Sequence, residues 1–198
     1  MFIDYNLFCA LVICYFIGSI PCGLLLSKLT KKNDPRFHGS KNIGATNMLR
    51  VGGWKIGFVT LIFDITKGFI PIKIITLYYQ QEVLVFAILG IICGHLYPIW
   101  LKFKGGKGVA AFIGILLGYD LFLFFSFTLT WLLFSILFKY SSFSALMALI
   151  INLILVICFY EQKIVFMITS LMIIYKHKEN IQRLLKGEES KINLKKKN

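Results

Sequence analysis

Acidic residues are scarce: nine Asp and Glu in 198 residues, against 22 Lys and Arg and a formal net charge of +13. Charge of either sign is thin, at 16%, while 58% of the residues are apolar. That balance excludes the ordinary soluble class for a chain of this length and places it with membrane proteins. The five cysteines, Cys9, Cys14, Cys22, Cys93 and Cys158, lie in or beside apolar runs and form no CxxC pair. They read as small buried hydrophobes and leave neither a disulfide framework nor a zinc site. Zinc-finger spacing and RNP-like signatures are missing, so the positive charge is not assigned to nucleic acid. No basic region precedes the first apolar run, where Asp4 is the only early charge, so no signal peptide is expected.

What is present is a series of apolar runs. They cover about residues 5–27, 54–79, 83–101, 109–118, 121–138, 143–160 and 164–175. Most are of a length to span a bilayer core. The first contains Gly18-Ser19-Ile20-Pro21-Cys22-Gly23, which predicts a kink near its inner end. Gly118-Tyr119-Asp120 splits a run too long for one span, and gives a short fourth segment. The last run is expected to continue into a basic helix, 177–186. The expectation is an all-α integral membrane protein of seven transmembrane segments. Residues 1–186 form one transmembrane domain, and residues 187–198 a polar, lysine-rich, mobile cytoplasmic tail.

Charge sets the orientation. With the N-terminus outside, the inner segments 28–53, 102–108, 139–142 and 176–198 hold 18 of the 22 Lys and Arg. The outer pieces carry Asp4, Glu82, Asp120, Glu161 and a single lysine, Lys163. By the positive-inside rule the C-terminus is cytoplasmic, and the polar, glycine- or serine-bearing stretches share the cytoplasmic face.

Two of those stretches suit anions. In Gly39-Ser40-Lys41-Asn42-Ile43-Gly44-Ala45-Thr46-Asn47-Met48-Leu49-Arg50, glycines free the backbone, hydroxyls and amides supply polar atoms, and Arg50 adds a planar fork of donors. The same run also reads as a solvated loop, and the residues alone do not separate the two. Gly105-Gly106-Lys107-Gly108 leads straight into an apolar helix, a place for phosphate at a helix start. It is not a Walker A loop, because Leu101 and Gly108 stand where that motif needs Gly and Ser or Thr. A tight inner-rim turn with snorkelling lysines is the plainer reading.

His177 and Asn180 are three apart and share a helix face. Asp64 and Lys67 lie one turn apart inside a span, which reads as an ion pair that buttresses the site. Ser40 could attack an acyl donor with His177 as base, but no third triad member is visible. The H-x-x-x-x-D pattern of soluble-type glycerolipid acyltransferases is absent: Ile43, Trp100 and Gln182 stand five residues after His38, His95 and His177.

In chain order the motifs are Gly18-Ser19-Ile20-Pro21-x-Gly23; Gly39-Ser40-x-Asn42-Ile43-Gly44-Ala45-Thr46-Asn47 with Arg50 and Gly53; Asp64-x-x-Lys67-Gly68; Gly94-His95-x-Tyr97-Pro98; Phe103-x-Gly105-Gly106-Lys107-Gly108-Val109; and His177-x-Glu179-Asn180-Ile181-x-Arg183-Leu184. Through them the chain resembles the bacterial membrane acyl-phosphate:glycerol-3-phosphate acyltransferases. Departures are mild. Lys41 stands where the family usually has Gly, Lys176 and Lys178 where it often has Arg, and Phe63 where it usually has Leu.

The resemblance implies a bacterial inner-membrane, multi-pass enzyme of phospholipid biosynthesis with its site on the cytoplasmic face. It implies acyl transfer from acyl phosphate to position 1 of glycerol 3-phosphate, giving lysophosphatidate and inorganic phosphate, with no metal and no cofactor. It maps the catalytic residues to Ser40, Arg50, Lys107, His177 and Asn180. Phosphate contacts are expected from Asn42, Gly44, Thr46, Asn47, Gly105, Gly106, Gly108 and Ser142. Expected partners are the two substrates and membrane lipid; the enzyme that supplies acyl phosphate is left open as a protein partner. The alternatives are a small transporter or channel for an anionic solute, and a membrane scaffold whose basic rim binds anionic lipid.

Overall fold

The structure is a computed structural model, and it describes residues 5–192. Asp4 and residues 193–198 of the basic tail lie outside the described residues. Among the described residues all regular structure is helical: α1 (Tyr5–Gly18), α2 (Cys22–Leu29), α3 (Ala45–Gly52), α4 (Trp54–Tyr78), α5 (Gln81–Leu96), a 3-10 turn (Ile99–Leu101), α6 (Val109–Tyr119), α7 (Leu121–Phe138), α8 (Ser141–Phe159), α9 (Lys163–Lys176) and α10 (Lys178–Leu185). Among the described residues four stretches are long and apolar enough to cross a membrane: Tyr5–Leu29, Gln81–Leu101, Leu121–Phe138 and Ser141–Phe159. Each of the seven apolar runs is mostly helical, with breaks at 19–21 in the first and 97–98 in the third. Large apolar side chains stand exposed along them, Phe125, Leu129, Leu133 and Ile136 of α7 among them, as a lipid-facing surface requires.

The chain divides into two compact units, one ending at Leu121 and the other beginning at Phe122. In the first, α1 packs on α5 and α4 on α6. Lipid gives helices no hydrophobic reason to associate, so close backbone approach must do it, and small residues permit that approach. Gly114 shows the effect: a Cβ there would lie 2.0 Å from the Ile65 carbonyl oxygen of α4. Gly68 answers from α4, where a Cβ would lie 2.2 Å from the Ala111 carbonyl oxygen. Gly90 and Gly94 of α5 meet the carbonyls of Leu11 and Tyr15 of α1 in the same way.

The expected kink in the first span is a full break. Helix α1 stops at Gly18 and α2 starts at Cys22. Pro21 has no N–H to give and its ring clashes with a helical carbonyl. At the break the Ile20 carbonyl is met from another helix, with Lys67 Nζ donating to it at 2.9 Å, and the Trp100 indole N–H braces the same stretch by donating to the Ser19 side chain, Oγ, at 2.8 Å. Two further differences concern the inner segments. The first polar loop contains a helix, α3, whose Met48 is fully buried. The last span does not run straight on, because α9 ends at Lys176 and α10 begins at Lys178, with His177 capping both.

In the second unit Asn152, buried in α8, donates from Nδ2 to the Leu123 carbonyl of α7 at 2.9 Å. A buried amide in an apolar bundle needs such a partner. Helices α9 and α10 both pack on α8.

Candidate active site

The Ser40 loop is built around one side chain. Asn47, 1% exposed, sits in the first turn of α3. Its Nδ2 reaches the carbonyl oxygens of Pro35 at 3.0 Å, His38 at 3.0 Å and Asn42 at 2.8 Å. Its Oδ1 accepts the Ser40 backbone N–H at 2.8 Å. The loop is therefore wrapped on a buried amide, which leaves Ser40, Asn42, Gly44 and Thr46 half-buried at its surface and Arg50 exposed on α3. The amide of Asn47 thus faces the backbone of its own loop. Lys41 adopts φ +58°, a left-handed conformation that a side chain resists. Asp34 and Arg36 staple the approach, with Arg36 Nη2 at 2.6 Å from Asp34 Oδ2. The hydrogen bond from Arg36 holds the Asp34 carboxyl below the usual carboxylate range.

The glycine–lysine loop hangs from the end of α5. Gly105 N–H donates to the Leu96 carbonyl at 3.2 Å, and Gly106 N–H to the His95 carbonyl at 3.1 Å. The buried imidazole of His95 fills the space beside Gly106, where a Cβ would come within 2.2 Å of His95 Nε2. Gly108, at φ +89°, turns the chain into α6. Lys107 is half-buried immediately before that helix start. Beneath the broken first span Asp64 and Lys67 are buried and paired, Oδ1 to Nζ at 2.8 Å, and His95 Nδ1 lies 3.9 Å from the same carboxylate oxygen. A small cavity lined by Ser19, Ile20, Asp64, Lys67 and His95 occupies this spot.

The second unit holds the remaining predicted residues together. His177 is buried at the α9–α10 break, its Nδ1 at 2.8 Å from the Ile173 carbonyl. Asn180 is buried one turn further on, and Ser142 is buried in the first turn of α8. Both donate to one carboxylate oxygen, Glu189 Oε1: Ser142 Oγ at 2.7 Å and Asn180 Nδ2 at 2.7 Å. Arg183 Nε donates to Glu189 Oε2 at 2.7 Å. Burial would push the Glu189 carboxyl up; the hydrogen bonds from Ser142, Asn180 and Arg183, with the Arg183 charge, outweigh it and hold the carboxyl below its ordinary value. Sequence reasoning picked out Ser142 and Asn180 but missed Glu189 and the part played by Arg183. Among the described residues no group of His, Cys, Asp and Glu is arranged to hold a metal ion.

Fold and residues together define an all-helical integral membrane protein with polar, donor-rich segments of the kind that hold phosphorylated ligands. A profile of the glycerol-3-phosphate acyltransferase family matches residues 8–187. Among curated relatives, glycerol-3-phosphate acyltransferases of Pelagibacter ubique and Bartonella quintana are 43% and 45% identical, covering 89% and 90% of this chain and 93% and 88% of their own. That of Brucella anthropi is 42% identical over 98% of this chain and 97% of its own. Among solved structures, PlsY (YgiH), an integral membrane glycerol 3-phosphate acyltransferase, superposes in its glycerol 3-phosphate form with a TM-score of 0.90, at 33% identity over 96% of both chains. Its lysophosphatidic acid form gives 0.87 at the same identity, over 96% of this chain and 97% of that one. The chain belongs to the glycerol-3-phosphate acyltransferase family.

Proposed function

We propose that this enzyme transfers an acyl group from acyl phosphate to position 1 of glycerol 3-phosphate, releasing lysophosphatidate and inorganic phosphate. The observation that carries the reading is the likeness, over nearly the whole chain, to an integral membrane acyltransferase solved with glycerol 3-phosphate and with lysophosphatidic acid. The seven apolar helical runs are read as seven spans, with the N-terminus outside and the site on the cytoplasmic face of the cell membrane.

The donor is a mixed anhydride, already activated, with phosphate as a good leaving group. The 1-hydroxyl oxygen of glycerol 3-phosphate attacks the acyl carbonyl carbon. The new ester C–O bond forms as the bond from that carbon to phosphate oxygen breaks. The hydroxyl proton passes to phosphate, so no protein base is needed. Such a reaction calls for positioning and charge balance, both of which fixed donors supply. Arg50, Lys107 and His177 balance phosphate charge in this scheme, and Ser40 and Asn180 orient the reacting oxygens. Gly105, Gly106 and Gly108 let backbone approach an anion beside Lys107. Asn42, Gly44, Thr46 and Ser142 add polar contacts, and Asn47 serves by holding the Ser40 loop.

The test is phosphate release from purified protein in proteoliposomes given acyl phosphate and glycerol 3-phosphate. Release matched mole for mole by lysophosphatidate is expected. Uptake of a solute without chemistry would replace this reading with a carrier.

A further inference from the structure

The three donors gathered on Glu189 form a site that is filled by the chain's own tail. Ser142 comes from the start of α8, Asn180 and Arg183 from α10, and all three point at one carboxylate. The site supplies a hydroxyl, an amide N–H and a guanidinium, a set that suits any oxyanion. The Glu189 side chain is only 6% exposed.

The tail is aimed there by a defined turn. Gly187 takes φ +72°, Glu188 N–H donates to the Arg183 carbonyl at 2.8 Å, and Gly187 N–H donates to that of Leu184 at 3.1 Å. This pair of bonds closes a helix end and reverses the chain. Beyond Glu189, Lys191 Nζ stands 5.7 Å from the Tyr140 ring centroid, and Ile192 N–H donates to the Lys139 carbonyl at 2.6 Å. The segment lies back on the start of α8 as a strap.

We propose that Glu189 is a built-in competitor for a phosphate group: its carboxylate fills the Ser142–Asn180–Arg183 cradle and must swing out before a phosphate monoester or inorganic phosphate can enter. Naming the phosphate carriers rests on the acyltransferase reading; the competition itself does not. A carboxylate and a phosphate each offer oxygens to the same donors, but the phosphate brings more oxygens and more charge. The strap therefore sets a threshold that a phosphorylated ligand has to exceed. A mere staple between α8 and α10 would instead add stability and leave phosphate affinity alone.

The full-length protein in detergent is titrated with inorganic phosphate by calorimetry, as wild type, Glu189→Ala and Glu189→Gln. Affinity is expected to rise roughly tenfold in Glu189→Ala for a cradle open about one-tenth of the time, because closed conformers lower apparent affinity in proportion. Glu189→Gln keeps the side-chain size without its charge and is expected to bind phosphate more tightly than wild type; it carries the test alone where Glu189→Ala does not fold. In proteoliposomes the KM values for acyl phosphate and for glycerol 3-phosphate are measured separately with Glu189→Gln. A fall in one of them identifies the substrate that uses the cradle, and a change confined to phosphate inhibition identifies the product. Equal phosphate affinity in all variants, or weaker binding when Glu189 is replaced, overturns the proposal. Tighter phosphate binding by the variants in a chain without acyltransfer would uphold the strap and remove the reaction.

Discussion

Single residues differ in how much they told in advance. Lys107 stood out among its glycine neighbours, but its part in the site came from the family resemblance, since the loop alone reads as well as a tight inner-rim turn. Its charge next to a helix start is expected to carry phosphate binding, so Lys107→Ala is predicted to lower turnover on the order of 10²–10³-fold, by analogy with a lost oxyanion donor. Near-normal turnover in the proteoliposome assay would take Lys107 out of the site. Asn47 was also picked out, but a sequence does not show which way an amide points. Its side chain spends every polar atom on the loop backbone. Asn47→Ala is predicted to leave several buried backbone groups unpartnered and cost about 1–3 kcal/mol or more, with loss of Ser40-dependent activity. A thermal melt in detergent and the turnover assay read the two effects. Lys41 runs the other way. Its φ of +58° suits glycine, the residue usual at this place in the family. Lys41→Gly is predicted to raise the melting temperature slightly, by relieving about 0.5–1 kcal/mol of strain beyond what the freer unfolded chain gives back. A lower melting temperature would mean the lysine has a partner worth more than its strain.

At the scale of elements, the sequence showed every long helix and the break at 118–120, but not the full extent of the break in the first span, the one at His177, or which helices pack together. The apolar runs are readable because a span must be continuous oil. The extent of the break at Ser19–Pro21 was hidden, because whether a proline kinks or stops a helix depends on who satisfies the freed backbone, here Lys67 reaching the Ile20 carbonyl from elsewhere in the chain. Helix α3 was hidden too: it is short and amphipathic within a polar stretch, and its Met48 face is defined only by what covers it. Gly114-x-x-x-Gly118 marks a face of α6 made for close approach, but the same spacing at Gly90 and Gly94 of α5 meets α1, so that the partner is α4 is seen only in the structure. Gly114→Leu is predicted to separate the two helices, since even a Cβ would meet the Ile65 carbonyl at 2.0 Å and backbone cannot yield as a side chain can. The expected outcome is loss of the folded protein's peak on size-exclusion chromatography. Lys67→Met poses a related question. It leaves the Asp64 carboxylate buried without its ammonium partner, a change that typically costs 3–5 kcal/mol. Pairing it with Asp64→Leu removes both charges, and the double variant is expected to recover much of the stability while the Ile20 carbonyl still lacks its donor.

For the molecule as a whole, the informative pattern is where charge is placed, because the membrane reads lysine and arginine by side. The basic stretches coincide with the polar segments: the Ser40 loop and α3, the glycine–lysine loop, the start of α8, and α10 with the tail. A membrane acyltransferase that draws phosphorylated substrates from the cytoplasm needs those segments on that side. Trypsin can ask the question directly, since it cuts after the residues that define the asymmetry. In intact spheroplasts the proposed topology exposes Lys163, at the start of α9, and shields residues 28–53, 102–108 and 176–198. Cleavage confined to Lys163 is expected before permeabilisation, with cuts in the Ser40 loop and the tail appearing only after it. The same experiment reports on the strap: with the inner face open, saturating phosphate should speed cutting at Lys191, which lies just beyond Glu189, if the tail leaves its cradle to admit the anion. Fragments from residues 102–108 in intact spheroplasts, with residues 28–53 still protected, would put the two anion loops on opposite sides of the membrane. A single reaction could then no longer use both.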